Sequence, residues 1–219
     1  MAIHGLIFDL DGTLIDSSDG VVEAVNYSLT QMGEAPQSAQ RIKAYIGYPL
    51  EHMYPDFTSA PVDELHRHFQ VKAAETVVSS TTVLPGVTET LNKLRSRGIP
   101  MAIATTKIRR HVDGIIDKLG WHEIFCATVG GDEVEQVKPD PSAFILALKR
   151  MQGIPEEVLV VGDTINDILA AQAVPMKVAA VASPFGGRQK VIDSGPDFYI
   201  ESLSEIIDIV GQMKAEGSK

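Results

Sequence analysis

The stretch Ile3-His4-Gly5-Leu6-Ile7-Phe8-Asp9-Leu10-Asp11-Gly12-Thr13 indicates the fold of this 219-residue chain. An apolar run of strand length ends at two carboxylates and a glycine, which is typical of a buried strand rather than a helix. Similar apolar runs recur at residues 101–104, 158–161 and 178–181. The sequence therefore predicts a sheet whose strands end in polar, reactive residues.

Segments with helical periodicity separate these strands, at residues 87–97, 109–119 and 142–151. Alternating strands and helices predict an α/β fold with a Rossmann-like parallel sheet covered by helices. The alternation stops between residues 17 and 81, where only helical patterns occur. We therefore expect a core domain from residues 1–16 and 82–219, with a small all-helical cap domain inserted at residues 17–81.

Composition excludes several classes of protein. A net charge of −10 opposes nucleic-acid binding. The single cysteine, Cys126, excludes an intrachain disulfide and a cysteine-based zinc site, and favours a reducing compartment. We find no signal-like leader and no apolar run of membrane-spanning length, so we expect a cytoplasmic protein without a membrane partner. The sequence gives no indication of oligomeric state.

Polar segments follow the predicted strands. In an open parallel sheet, ligands bind beyond the carboxyl ends of the strands. The segments expected at that edge are Asp9-Leu10-Asp11-Gly12-Thr13, Thr105-Thr106-Lys107, Lys138-Pro139-Asp140-Pro141 and Gly162-Asp163-Thr164-Ile165-Asn166-Asp167.

The first of these segments carries a chemistry of its own. Asp9 can attack phosphorus as a nucleophile and divide one difficult displacement into two easier ones. Asp11 is placed to protonate the leaving oxygen and then to activate water. Gly12 permits backbone angles that bring main-chain N–H groups toward a phosphate.

All four segments together, in this order, resemble the motifs of the haloacid dehalogenase-like superfamily, and specifically its phosphatases with a helical cap inserted after the first strand. The resemblance covers essentially the whole chain. Leu84-Pro85-Gly86-Val87 and Lys138-Pro139-Asp140-Pro141 are most similar to the phosphoglycolate phosphatase branch. The resemblance implies a phosphoric monoester hydrolase that forms an aspartyl-phosphate.

The resemblance also implies a magnesium site, since carboxylates repel a phosphate unless a hard divalent cation holds both. Its expected ligands are the side chains of Asp9 and Asp163 and the main-chain oxygen of Asp11. Asp167 is expected to anchor this site through hydrogen bonds around the metal.

The remaining expected residues bind the phosphate or the substrate. Thr105 donates a hydrogen bond to a phosphoryl oxygen, with Thr106 as the alternative, and Lys138 neutralises charge in the transition state. Gly12 contributes through the backbone. The cap closes over the core, and its loop Ile46-Gly47-Tyr48-Pro49-Leu50 places Tyr48 next to the substrate.

Simpler interpretations apply to each feature taken alone. An isolated Asp-x-Asp is more often a solvated turn, and Lys138-Pro139 suits the entry to a helix capped by Asp140 or Ser142. The occurrence of all four motifs in order favours catalysis. The six histidines show no metal-binding spacing, and we expect them at the surface.

The expected substrate is a small phosphorylated metabolite, with 2-phosphoglycolate favoured by the resemblance. Pyrophosphate, a sugar phosphate or a nucleotide monophosphate are the alternatives. Asp11 argues against a dehalogenase, since the resemblance implies no acidic residue at that position in such enzymes. Val21 argues against a phosphosugar mutase, which is expected to have a histidine there. Leu50 argues against a phosphonate hydrolase, which is expected to have a lysine there. A binding module without turnover is the least favoured reading.

Overall fold

The structure is a computed structural model that describes residues 3–216. Its parallel sheet has six strands: β1 (Gly5–Phe8), β4 (Met101–Ala104), β5 (Ala127–Val129), β6 (Val158–Gly162), β7 (Lys177–Val181) and β8 (Phe198–Ile200). The sequence predicted β1, β4, β6 and β7, while β5 and β8 were not predicted. The strand order is β5-β4-β1-β6-β7-β8, and every neighbouring pair is parallel. β1 lies at the centre because the chain winds outward from it in both directions.

Helices cover both faces of this sheet. Leu6 and Phe8 of β1 pack on one face and Ile7 on the other, since successive side chains of a strand alternate. The first face carries α5 (Val87–Ser96), α6 (Arg109–Leu119) and α10 (Ile206–Glu216); the second carries α7 (Ser142–Met151), α8 (Ile165–Gln172) and α9 (Arg188–Asp193). The α/β fold expected from the sequence is confirmed.

The segment between β1 and β4 is helical, as expected. It contains α1 (Ser18–Gln31), α2 (Ala39–Lys43), α3 (Leu50–Met53) and α4 (Val62–Ser80). These helices bury an apolar cluster of their own, formed by Val25, Leu29, Ile42, Met53, Tyr54 and Leu65. A separate apolar cluster is what allows such an insertion to fold as a unit.

A two-stranded antiparallel ladder joins the helical segment to the sheet. β2 (Ile15–Asp16) pairs with β3 (Thr82–Val83), so the chain enters and leaves the cap side by side. Its strands are too short for a periodic signal, and the sequence analysis did not predict them. The domain boundaries at residues 17 and 81 stay a prediction, which this ladder supports. Residues 1–2 and 217–219 of the predicted core domain lie outside the described residues. Within the described part of the chain, no helix is both long and apolar enough to cross a membrane.

Candidate active site

Three carboxylates meet at the carboxyl edge of the sheet, where the sequence placed them. Asp9 follows β1, and its N–H donates to Val161 O at 2.8 Å, which holds it beside β6. Asp163 and Asp167 lie in the turn after β6 and the first turn of α8. One carboxylate oxygen from each of the three aspartates lies within 4.8 Å of the others.

Lys138 bridges two of these carboxylates from the loop before α7. Its Nζ donates to Asp9 Oδ1, to Asp167 Oδ1 at 2.6 Å and to the carbonyl oxygen of Ala104 at 3.1 Å. The residue is 3% exposed. Burial opposes its charge, but the carboxylates of Asp167 and Asp9 outweigh burial and hold the pKa of Lys138 above its usual value. Lys138 is therefore a fixed cation against the predicted nucleophile.

The cluster carries more negative than positive charge. Burial raises the pKa of Asp9 to about 7, with Lys138 opposing the shift and Asp167 adding to it. Burial, together with Asp167 and Asp9, also raises the pKa of Asp163 well above its usual value. Three buried carboxylates and one ammonium leave an excess of two negative charges when all are ionised, which is costly in a low-dielectric interior.

The donor set fits a hard divalent cation. Asp163 Oδ2 is buried and has no hydrogen-bond partner among the described residues. Carboxylate oxygens are the ligands of Mg²⁺ in proteins, and two positive charges balance the excess of the cluster. The metal would therefore be held by Asp9 and Asp163, and Asp167 lies next to them.

The turn that follows Asp9 fixes the position of Asp163. Thr13 Oγ1 donates to Asp163 Oδ1 at 3.1 Å. Gly12 has φ = +87°, and a Cβ there would lie 2.2 Å from Asp163 Oδ2, so only glycine fits. The Gly12 N–H donates to Ile15 O at 2.8 Å, which commits that N–H to the turn. A phosphate contact by Gly12 through its own N–H stays a prediction and would require that bond to open.

Asp11 is held by two residues that the sequence analysis did not assign to the site. Ser17 Oγ donates to Asp11 Oδ1 at 2.5 Å, and Lys107 Nζ lies 3.1 Å from Asp11 Oδ2. Lys107 also donates to Ser17 Oγ at 3.2 Å. With donors on both oxygens, the side chain of Asp11 is held in a fixed orientation at the edge of the acidic cluster. In the sequence, the position of Lys107 directly after Thr105-Thr106 was the feature that could have indicated its contact with Asp11.

The two predicted phosphate-binding threonines differ in their surroundings. Thr105 is buried, and its Oγ1 accepts a hydrogen bond from Lys107 N at 3.2 Å, which leaves its hydroxyl proton available to an acceptor. Thr106 is partly exposed and lines a cavity next to Asp11. The choice of Thr105 as the phosphate ligand stays a prediction that its burial supports.

The cap loop touches the core at the first turn of α8. Asn166 Nδ2 donates to the carbonyl oxygen of Gly47 at 3.3 Å. Gly47 has φ = +86°, and a Cβ there would lie 3.0 Å from Thr164 Cγ2. Thr164 in turn donates from N and Oγ1 to Asp167 Oδ2, at 3.0 and 2.8 Å. The loop that carries Tyr48 therefore rests against the residues that orient Asp167.

A cavity of about 410 Å³ lies between the cap and the core. Asp11 and Lys107 stand at its catalytic end, and Tyr48 lines it on the cap side as expected from the sequence. His111 also lines it and is 6% exposed, so the expectation that all histidines lie at the surface is wrong for this residue. Its position in the apolar stripe of α6, next to Val112 and Ile115, buries it.

Fold and site together define an α/β enzyme with a lysine-bridged carboxylate centre at the carboxyl edge of its sheet and a helical cap above it. A family model described as haloacid dehalogenase-like hydrolase matches residues 6–181. The chain therefore belongs to the haloacid dehalogenase-like hydrolases, and the resemblance indicated by the four motifs is confirmed.

Individual relatives agree with this assignment. The chain is 31% identical to a phosphoglycolate phosphatase of Pectobacterium atrosepticum, over 100% of this chain and 97% of the relative. It is 33% identical to pyrophosphatase PpaX of Anoxybacillus flavithermus, over 96% and 98% of the two chains. A solved haloacid dehalogenase-like hydrolase from Bacteroides fragilis superposes with a TM-score of 0.88 at 28% identity, over 93% of this chain and 99% of the other.

Proposed function

We propose that the chain is a Mg²⁺-dependent phosphatase that hydrolyses a small phosphomonoester through an aspartyl-phosphate on Asp9. The observation that carries this proposal is the buried cluster of Asp9, Asp163 and Asp167 bridged by Lys138, with Asp163 Oδ2 left without a partner among the described residues. Such a cluster combines a carboxylate nucleophile, a fixed ammonium and the oxygen ligands of a divalent cation.

The first chemical step assigned to this chain is attack by Asp9. Lys138 holds Oδ1 of the carboxylate, which fixes its orientation toward phosphorus and keeps a positive charge beside the phosphoryl oxygens. When bound by Asp9, Asp163 and the main-chain oxygen of Asp11, Mg²⁺ would neutralise the phosphate and polarise it. Thr105 would donate its free hydroxyl proton to a phosphoryl oxygen.

Asp11 would transfer protons in both halves of the reaction. A protonated Asp11 gives its proton to the leaving oxygen, and the resulting carboxylate takes a proton from the water that hydrolyses the aspartyl-phosphate. Ser17 and Lys107 contact the two oxygens of the Asp11 side chain and so hold it in position for these transfers.

Related chemistries find less support in the cap. Val21 lines the cavity at the position where a mutase would need a histidine, and its side chain cannot transfer a proton. Leu50 lines the cavity at the position expected for an imine-forming lysine, while Lys43 is paired with Asp19 at 2.8 Å. Hydrolysis is therefore favoured over group transfer and over cleavage of a phosphorus–carbon bond.

Among small phosphorylated metabolites, 2-phosphoglycolate is the substrate that the sequence resemblance implies. Pyrophosphate is the alternative, since one of the similar relatives is named for its hydrolysis. Because relatives with either name match at about 30% identity, their names do not choose between the two.

Phosphate release from p-nitrophenyl phosphate, measured with Mg²⁺ and with excess EDTA, tests the proposal. We expect metal-dependent turnover that falls at least about a thousandfold in Asp9→Asn, because the amide cannot form the ester. Asp19→Asn, at an exposed aspartate of the cap, is the matched control and should retain wild-type activity. Full activity of Asp9→Asn would contradict the covalent mechanism.

A second readout reports the intermediate itself. Enzyme quenched in acid during turnover should carry protein-bound phosphate that hydroxylamine releases, as expected for an acyl phosphate. The Asp9→Asn variant should carry none.

A further inference from the structure

The cavity between cap and core is the space for the part of the substrate that departs with the leaving oxygen. It begins at Asp11, the residue that would protonate that oxygen, and extends away from the acidic cluster toward the cap. Asp9, Asp163 and Asp167 lie outside its lining. The phosphoryl group would thus occupy the edge of the sheet, and the leaving group would occupy the cavity.

The wall of this cavity is largely apolar. The cap side presents aliphatic and aromatic side chains, and the core side adds three aliphatic residues. They include Tyr45, Tyr48, Leu50 and Phe69 from the cap, and Ile108 and Val137 from the core. The hydroxyl of Tyr45 donates to Asp56, so its ring rather than its polar group is available to the cavity. Such a wall favours contact with carbon over contact with charged groups.

Cations are scarce in the same wall. Among the described lining residues, Lys107 is the single lysine or arginine, and Asp11 and Ser17 already share its ammonium. Burial, with Lys107 and Arg110 nearby, lowers the pKa of His111 to about 4, so its imidazole is neutral at neutral pH.

Carboxylates, in contrast, are present at the rim. Glu51, Asp132 and Glu135 line the cavity in addition to Asp11. A second anionic group on the substrate would therefore enter a space with negative charges and without an unshared lysine or arginine, which is unfavourable. Both glycolate and a second phosphate are such groups.

The volume of the cavity also favours a leaving group larger than glycolate. About 410 Å³ falls within the range of roughly 300–1,000 Å³ that is typical of small-molecule sites. A glycolate leaving group would leave most of this apolar wall without contact. A larger carbon skeleton would cover it and gain the free energy of burial.

We propose that this enzyme prefers phosphomonoesters whose leaving group is uncharged, largely apolar and larger than glycolate. The inference rests on the proposed phosphatase function, and it favours a different substrate class from the two for which the similar relatives are named. The leaving group lies against Leu50, Phe69 and Tyr48, with its oxygen next to Asp11.

The experiment compares kcat/KM for n-hexyl phosphate, 2-phosphoglycolate and pyrophosphate under saturating Mg²⁺, with p-nitrophenyl phosphate as the reference substrate. Hexanol and glycolate are both aliphatic alcohols, so their comparison reports binding of the leaving group more than its acidity. We expect n-hexyl phosphate to exceed 2-phosphoglycolate and pyrophosphate by at least about tenfold.

Two variants change the charge of the wall without touching the catalytic residues. Gln70→Arg, at an exposed lining residue of α4, and Leu50→Arg, in the cap loop, each add a cation. We expect each to raise kcat/KM for 2-phosphoglycolate relative to n-hexyl phosphate by at least about tenfold. Gln70→Met is the uncharged control and should keep the wild-type ratio. Using two positions keeps the test valid if one arginine variant fails to fold.

The outcomes separate the two proposals. Metal-dependent turnover of p-nitrophenyl phosphate with 2-phosphoglycolate or pyrophosphate preferred over n-hexyl phosphate would overturn this inference and leave the phosphatase function intact. Absence of turnover on every substrate, the reference included, would overturn both.

Discussion

In the turn after β1, the lack of a side chain at Gly12 allows Asp163 to occupy its position. Gly12 lies so close to Asp163 Oδ2 that any side chain would displace the carboxylate. Gly186 approaches the same residue from the other side, since a Cβ there would lie 1.9 Å from Asp163 O. The aspartate that would bind metal is thus clamped between two backbone segments, and both contacts require glycine.

Gly12→Ala should impair Mg²⁺ binding more than it lowers the free energy of unfolding. The new Cβ meets the Asp163 carboxylate, so we expect the Mg²⁺ concentration for half-maximal activity to rise at least about tenfold, together with strain of about 1–2 kcal/mol from the positive φ. Gly33→Ala is the matched control, because Gly33 has φ = +76° and no described atom within 4 Å of its Cβ position. It should lose comparable stability and keep wild-type Mg²⁺ dependence. Equal Mg²⁺ dependence in the two variants would show that the contact with Asp163 is unimportant.

At the scale of elements, the cap is held together by the close packing of α1 on α4. A Cβ at Gly20 would lie 2.6 Å from Thr76 O and 2.4 Å from Ser80 Oγ. Thr76 Oγ1 donates to Gly20 O at 3.0 Å across the same contact. The two helices can approach to this distance only because α1 has no side chain there.

Gly20→Ala should therefore destabilise the protein, against the usual rule for helices. Alanine normally stabilises a helix by roughly 0.5–1 kcal/mol relative to glycine, but here it would push α1 away from α4 at a cost of about 1–3 kcal/mol. Gly211→Ala in α10 is the control, since no described atom lies within 4 Å of its Cβ position, and it should be neutral or stabilising. Urea unfolding followed by circular dichroism measures both. A stabilised Gly20→Ala would show that the helices can separate without cost.

For the molecule as a whole, the acidic cluster links stability to pH and to metal. Without metal, the folded protein holds protons on Asp9 and Asp163 more tightly than the unfolded chain does, because their pKa values are raised. The stability that these two groups contribute is then fully present below their unfolded pKa of about 4 and declines as the pH rises through the folded pKa of Asp9, about 7. Mg²⁺ requires the deprotonated forms, so it should stabilise most at high pH.

Thermal unfolding in EDTA and in MgCl₂ tests this linkage. We expect Mg²⁺ to raise the Tm more at about pH 8 than at about pH 5, with a difference in the free energy of unfolding on the order of a few kcal/mol. Asp9→Asn removes one of the titrating groups, so its pH dependence in EDTA should be smaller than that of the wild type. A stabilisation by Mg²⁺ that does not change with pH would contradict the raised pKa values.

Local sequence determined four of the six strands of the main sheet, the main helices and the order of the four motifs. Apolar runs such as residues 101–104 and periodic segments such as residues 109–119 carry their structure in their own pattern. Because parallel strands expose their carboxyl ends at one edge, these patterns also brought Asp9, Thr105 and Asp163 into one predicted site, whereas Lys138 was assigned to it through the resemblance of the four motifs. The two short strands β2 and β3 carried no such pattern and could not be found.

Tertiary structure alone decided what surrounds that site. Ser17 and Lys107 reach Asp11 from segments 6 and 96 positions along the chain, and His111 is buried because α6 packs between the sheet and the cap cavity. The shape, apolar wall and rim carboxylates of that cavity arise where the cap and the core, two separately patterned parts of the chain, face each other. A sequence specifies residue types and local periodicity, but distances across such a boundary exist only after packing has set them, and these distances determine which leaving group fits.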